Sequence, residues 1–309
     1  MPLAVRILPV ALWAIHVASA YDARVCDQKS YTSPLDNLTF NPNAWNPDGT
    51  GFQCISVQDS PPAFWATWAW SSNPQSVHSY PHVKLTSPTL PTPLSNISAF
   101  CLTARWSLGP GSMALPGLRI DASGLADMDV SANVAFDIFA DRNYASSKNE
   151  TTAETEIMIW LAKFGSAQPL GFSPKRTCFT QELGGIPFVL YEGRNGRGTD
   201  VFTWVAATNE TGFTADISPL LQYLWRNGLV SADSNVGLVS FGSEAYHSRG
   251  NVTFSASRFD MHLVTGTAPT LVVEQLPTAC SRAVSTHIQG SWLFFMSIIG
   301  IVASALYPL

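Results

Sequence analysis

Apolar and polar positions alternate along this chain in short runs, and clusters of Gly, Pro, Asn and Ser separate one run from the next. A period of two over so few residues predicts strands at Val83–Thr86, Leu118–Ile120, Asn133–Phe139, Glu156–Leu161, Phe188–Tyr191, Val201–Ala206, Val236–Phe241 and Asn251–Val264. A helical period occurs in one place, Ser218–Asn227. Ser218 suits the N-cap, Pro219 the first helical position, Leu220, Leu221 and Leu224 form an apolar stripe, and Gly228 ends it. One helix among many strands predicts an all-β sandwich of two sheets.

The two ends break this pattern. Residues 1–20 carry Arg6, an apolar stretch Ile7–Val17, and Ala18-Ser19-Ala20, which together read as a secretory signal peptide. The apolar stretch is too short for a membrane anchor. Trp292–Leu309 is apolar and has no basic residue after it, and a polar spacer with small residues precedes it. That order fits a C-terminal lipid-anchor (GPI) signal, with a single membrane-spanning helix as the competing reading. Sequons at Asn37, Asn96, Asn149, Asn209 and Asn251 agree with passage through the secretory pathway. The expected organisation is a signal peptide at 1–20, one domain at 21–264, a linker at 265–279 and the anchor signal at 280–309. Of the five cysteines, Cys280 would be lost if Ala279 were the attachment residue, leaving an even number.

Composition narrows the function. Only 13% of the 309 residues are charged, about half the usual share, and the net charge is −5. No basic field exists to hold a nucleic acid, whereas a neutral, hydroxyl-rich partner is allowed. Aromatic residues make up 11%, enough for a large core or for rings that stack on sugars. His78 and His82 are four residues apart in an extended Ser/Pro-rich stretch, so no metal site is expected. No G-x-S-x-G elbow occurs, which leaves a serine hydrolase without support.

The run Glu156-Ile157-Met158-Ile159-Trp160-Leu161 carries the candidate chemistry. Strand alternation puts Glu156, Met158 and Trp160 on one face and Ile157, Ile159 and Leu161 on the other, apolar one. A carboxylate beside an indole suits a sugar cleft, where the ring stacks on a pyranose and the carboxylate meets the anomeric carbon. The plainer reading is a solvated outer face. Asn133–Phe139 repeats the arrangement, with Ala135, Asp137 and Phe139 on one face. An Asp inside such a strand is costly unless it has a partner. Glu154, on the same face as Glu156, reads as a rim charge, and Glu192 and Asp200 read as solvated.

These segments resemble, in order, those of glycoside hydrolase family 12. EIMIWLAKFG with the following QPLG is similar to that family's nucleophile strand, and Phe241-Gly242-Ser243-Glu244-Ala245 to its acid/base motif, 88 residues later. Val134–Phe139 resembles its VAYDLF strand. Cys26-Asp27-Gln28, Asn43-Ala44-Trp45, Gly51-Phe52-Gln53-Cys54, Trp68-Ala69-Trp70, Ser79-Tyr80, Leu190-Tyr191-Glu192-Gly193 and Asn195-Gly196 complete the set. The resemblance implies a β-jelly roll of two curved antiparallel sheets with one packed helix and an open cleft. It also implies retaining hydrolysis of β-1,4-glucan without a cofactor. Glu156 would be the nucleophile, Glu244 the acid/base, and Asp137 a carboxyl that hydrogen-bonds the nucleophile. Asn43 and Trp45 would line a glycone-side subsite. Met158, Trp160 and Trp70 would lie along the cleft floor, and Asn195 would contact substrate. Cys26–Cys54 would be bridged, leaving Cys101 and Cys178 either as a second bridge or as separate thiols.

Three departures stand out: an insertion around Gly109–Leu125, Asn46 after Trp45, and His78 where a Lys often precedes the Ser-Tyr pair, a change that could alter a subsite contact. The functional expectation is a secreted or cell-surface endo-β-1,4-glucanase, monomeric, acting on cellulose-type or mixed-linkage β-glucan. A xyloglucan-specific enzyme or a catalytically silent wall-binding protein is the alternative.

Overall fold

In the computed structural model, residues 21–268 are described except for Asp27, Asp48, 113–119 and 174–178. The signal peptide, most of the linker and the anchor signal fall outside that range. Two sheets face each other. The smaller runs Ala23–Val25, Phe52–Asp59, Pro62–Ala69, Val252–Thr265, Ile97–Pro110, Gly212–Asp216, in that spatial order. The larger runs Phe179–Leu183, Ile186–Arg194, Asp200–Ala206, Thr155–Phe164, Ser131–Asp141, Asn235–Gly242, His82–Leu85, Thr39–Asn41, Tyr31–Thr32. Short strands Ala245–His247 and Thr92–Pro93 attach to it beside Ser131–Asp141 and Asn235–Gly242. Among the described strands pairing is antiparallel, except that Thr155–Phe164 runs parallel to Asp200–Ala206.

The inward faces make one core. Phe64, Trp68, Phe100, Trp106, Phe136, Ile157, Ile159, Trp204, Phe241 and Phe254 are all buried there. Many of the rings meet edge to face; Phe40 and Phe64 have centroids 5.6 Å apart, and Phe64 and Phe254 likewise 5.6 Å. Such pairs add about 0.5–1.5 kcal/mol each beyond the area they bury. The other face of the larger sheet keeps a second, smaller apolar cluster of Ala135, Met158, Trp160 and Val205, with Tyr191 packed on it. Alternation in Thr155–Phe164 thus splits as expected, with Ile157, Ile159 and Leu161 facing the core.

The helix spans Ser218–Arg226, and its Tyr223 packs edge-on against Trp204 at 5.5 Å. Its N-cap is Ile217 rather than Ser218. The Asp216 carboxylate accepts from the Ser218 N–H at 2.9 Å and takes over the capping role that the Ser218 hydroxyl was expected to fill. Gly228 follows the helix at φ +72°, where a side chain would be strained. A second, short helix, Ala122–Asp127, was not expected. It lies in the Gly109–Leu125 insertion, and its cap is Asp121, whose carboxylate accepts from the Gly124 N–H at 3.0 Å. Of the expected Leu118–Ile120 strand, Ile120 makes a parallel bridge to Leu108, and 118 and 119 lie outside the described residues.

Cys26 and Cys54 form the expected disulfide. Cys101 is a free thiol, so the second bridge is not made. Alternation explains this. Phe100 and Leu102 point into the core, which turns Cys101 to the outer face of the smaller sheet. Cys178 lies outside the described residues.

Candidate active site

The register of the larger sheet assembles the site. Met158 stands opposite Asp137 on one side and Thr203 on the other, and Thr203 in turn stands opposite Tyr191. Ser240 faces Asp137 from the next strand, and Lys84 faces Ser240. This row crosses the open face of the sheet, and Glu156 lies beside it on the same face as Met158. Glu244 arrives from the turn after Asn235–Gly242. Gly242 makes that turn possible: a Cβ there would sit 2.3 Å from the Pro81 carbonyl oxygen.

Glu156 is half-buried. Burial raises its carboxyl, while the Arg197 charge and a hydrogen bond from Asn195 Nδ2 to Oε2 at 3.4 Å pull it back. Asn195 is held for this task, since its Oδ1 accepts from the N–H groups of Arg197 and Thr199 at 3.0 and 3.1 Å. Glu244 is raised much further, to about 8, chiefly by burial and then by the charge on Glu156. Asn133 and Tyr246 donate to its Oε2 and partly offset that rise. Asp137 is buried and pushed well above the usual carboxylate range by desolvation, then by Glu156 and Glu244. Asp137 Oδ1 has no partner, and among the described residues the side-chain hydrogen bond to Glu156 comes from Asn195 and not from Asp137. The three carboxyls therefore differ in character: Asp137 and Glu244 are both pushed well up, Glu244 to about 8, whereas the rise at Glu156 is held back by Arg197 and Asn195.

Met158 and Trp160 share the open face of the larger sheet, with the Trp160 indole N–H directed at the Met158 sulfur, 3.4 Å away. Trp45 is 52% exposed at one flank. Asn43, at φ +44°, receives the Tyr80 N–H on its carbonyl at 3.0 Å, which fixes this loop to the cleft wall. Trp70 is not on the floor. It follows a strand of the smaller sheet, is buried in the main core, donates from its indole to Ser79 Oγ at 3.1 Å, and stacks on His78. His78 is buried too, its ring nitrogens 2.7 and 3.0 Å from the carbonyl oxygens of Asn46 and Ser72, so it ties loops together and does not meet substrate. Glu154 is a rim charge, paired with Arg142 at 3.3 Å, and Asp200 pairs with Arg194.

Sequence reasoning missed two groups of residues. Asn133 has no motif of its own, and only its polarity in a buried strand could have marked it. Phe172, 38% exposed, packs on Tyr191 at 5.9 Å with the Lys163 ammonium over its ring, on the flank of the floor away from Trp45. Gly171 lets that loop press onto the sheet, since a Cβ would lie 1.8 Å from the Glu192 carbonyl oxygen.

A two-sheet β-sandwich with separated carboxyl acidities on an aromatic-lined open face is the architecture of a glycoside hydrolase. The model of glycosyl hydrolase family 12 matches residues 118–263. A probable xyloglucan-specific endo-β-1,4-glucanase A of Aspergillus flavus is 31% identical over 261 residues, covering 82% of this chain and 97% of that protein. The endoglucanase A of Aspergillus kawachii is 28% identical over 257 residues, covering 80% and 95%. The crystal structure of the Trichoderma harzianum endoglucanase 3 superposes with a TM-score of 0.63 at 26% identity, over 78% of this chain and 97% of that one. The chain belongs to glycoside hydrolase family 12, and its fold is that family's β-jelly roll.

Proposed function

We propose that the protein is a retaining endo-β-1,4-glucanase that cleaves cellulose-type or mixed-linkage β-glucan by double displacement. The observation that carries this is the split between two neighbouring carboxyls, Glu244 raised to about 8 by burial and by Glu156, and Glu156 restrained by Arg197 and Asn195. In the first step the Glu156 carboxylate attacks the anomeric carbon. The bond to the leaving oxygen breaks as Glu244 gives it a proton. In the second step Glu244, now ionised, takes a proton from water, and the water oxygen displaces Glu156. A retaining pair needs the carboxyls about 5–5.5 Å apart. The exposed Trp45 and Phe172 on opposite flanks of the floor support an open cleft that holds a chain on both sides of the cut. The chain's reading as a secreted, glycosylated, lipid-anchored surface protein rests on its sequence alone.

A second reading, xyloglucan specificity, is favoured by the names of relatives, among them the Emericella nidulans xyloglucan-specific endo-β-1,4-glucanase A at 29% identity over 248 residues. Reducing-sugar release on carboxymethyl cellulose, barley β-glucan and xyloglucan separates the two. Proton NMR of the first products tests retention: the β-anomer is expected first, and an initial α-anomer refutes double displacement. No release from any of the three would leave a silent binding protein.

A further inference from the structure

Asn133 meets the Ser243-Glu244 segment through every polar atom it has. Its N–H donates to the Glu244 carbonyl at 3.1 Å, and its carbonyl accepts from the Ser243 hydroxyl at 2.6 Å. Its side-chain Oδ1 accepts from the Glu244 N–H at 2.9 Å, and its Nδ2 donates to Glu244 Oε2. Asn133 itself has no exposed surface.

The direction of these bonds is forced. A backbone N–H can only donate, so the amide end facing it must be the oxygen, and the end at Glu244 must be the NH₂. An amide NH₂ also only donates, so Oε2 must accept. Tyr246 brings its hydroxyl to the same Oε2 at 3.2 Å. In a neutral carboxyl the carbonyl oxygen is the better acceptor, so two donors on Oε2 leave the hydroxyl on the other oxygen.

We infer that Asn133 is a positioning residue for the acid/base, and that with Tyr246 it confines the transferable proton of Glu244 to Oε1. This rests on the reading of Glu244 given above. Once the proton has gone, the same two donors stabilise the carboxylate left behind, so the clamp holds Glu244 in both halves of the reaction. The other titratable or charged groups facing it are Glu156 from the parallel-paired strand, Asp137 from the strand of Asn133, and Tyr80 from the stretch leading into His82–Leu85. Lys163, opposite Asn133 in register, is engaged with Gln168 at 3.0 Å.

The test compares Asn133→Ala, Tyr246→Phe and Glu244→Gln on barley β-glucan and on dinitrophenyl β-cellotrioside, whose phenolate departs without a proton. Removing a donor to the ionised form makes the acid weaker. The alkaline limb of kcat/KM should therefore move up by roughly one pH unit in Asn133→Ala, and by less in Tyr246→Phe. At the optimum, kcat/KM of Asn133→Ala should fall roughly ten- to a hundredfold on β-glucan and far less on the dinitrophenyl substrate. A merely structural residue would lower both substrates alike and leave the limb in place. That result, with Glu244→Gln inactive on β-glucan, overturns the inference and spares the acid/base assignment. An active Glu244→Gln overturns the assignment and the inference together. If Asn133→Ala does not fold, as seen by circular dichroism, Tyr246→Phe decides alone: an unmoved limb refutes the shared clamp.

Discussion

Asp137 stands opposite Met158 in the antiparallel register, which makes it the diagonal neighbour of Glu156 on the same face of the sheet. Diagonal neighbours lie about 7–8 Å apart at the backbone, within reach of two carboxyl side chains. Burial pushes Asp137 well above the ordinary carboxylate range, and the charges on Glu156 and Glu244 add to that rise, so this carboxyl keeps its proton. Asp137→Asn should then be mild, lowering kcat about tenfold or less, because an amide is as neutral as the protonated acid. The pH profile checks it. An alkaline limb displaced downward by about one unit would show that Asp137 is charged in the working enzyme, its removal easing the field on Glu244.

Glu156→Gln should cost several orders of magnitude in kcat with the fold intact, since an amide cannot attack the anomeric carbon. Azide added to Glu156→Ala should restore part of the turnover on an activated aryl glycoside and give the α-glycosyl azide. Near-parental activity of Glu156→Gln would show that the nucleophile lies elsewhere.

Stability and catalysis oppose each other at Glu244. Its ordinary value is 4.5 and its folded value about 8, so between those pH values the folded chain binds a proton that the unfolded chain releases. Stability from this group is fully present below about 4.5 and is lost as pH rises toward 8. Glutamine has no such linkage. The Tm advantage of Glu244→Gln over the parent should widen as pH rises through that window, by scanning calorimetry. A constant difference from pH 4.5 to 8 would refute the raised value.

Trp45→Ala and Phe172→Ala should both raise KM on long cello-oligosaccharides, because each removes a ring from one flank of the floor. Shortening the substrate from one end should silence one variant's defect, and shortening it from the other end the second's. Identical responses would place both rings on one side of the cut.

The sequence disclosed what alternation and local spacing can carry. Glu156–Leu161 lies within the Thr155–Phe164 strand with the faces as read, Asn133–Phe139 lies within Ser131–Asp141, and the helix starts one residue before its expected position. The smaller sheet was harder to see. Pro62–Ala69 carries Ala, Phe and Trp on both sides of the alternation, so period two is blurred there, and Phe52–Asp59 alternates only over Ile55–Gln58, a run too short to stand out. Trp70 was misplaced because its W-x-W spacing gives no hint of which sheet it closes. Asn133 stayed invisible because its meaning depends on a residue 111 positions away. Parity left Cys101 either bridged or free, because a count ignores which face a strand turns outward.

The order of strands in the smaller sheet bears on how the chain is made. Val252–Thr265, the last strand in sequence, lies in the middle, between Pro62–Ala69 and Ile97–Pro110. Until it arrives, the sheet exists as two halves with open edges facing each other. Emerging from a ribosome or a translocation pore, the domain must therefore wait for residue 265 before either half can close. A chain stopped at residue 250 would keep Glu156 and Glu244 in its sequence and yet lack the keystone that brings the two halves together.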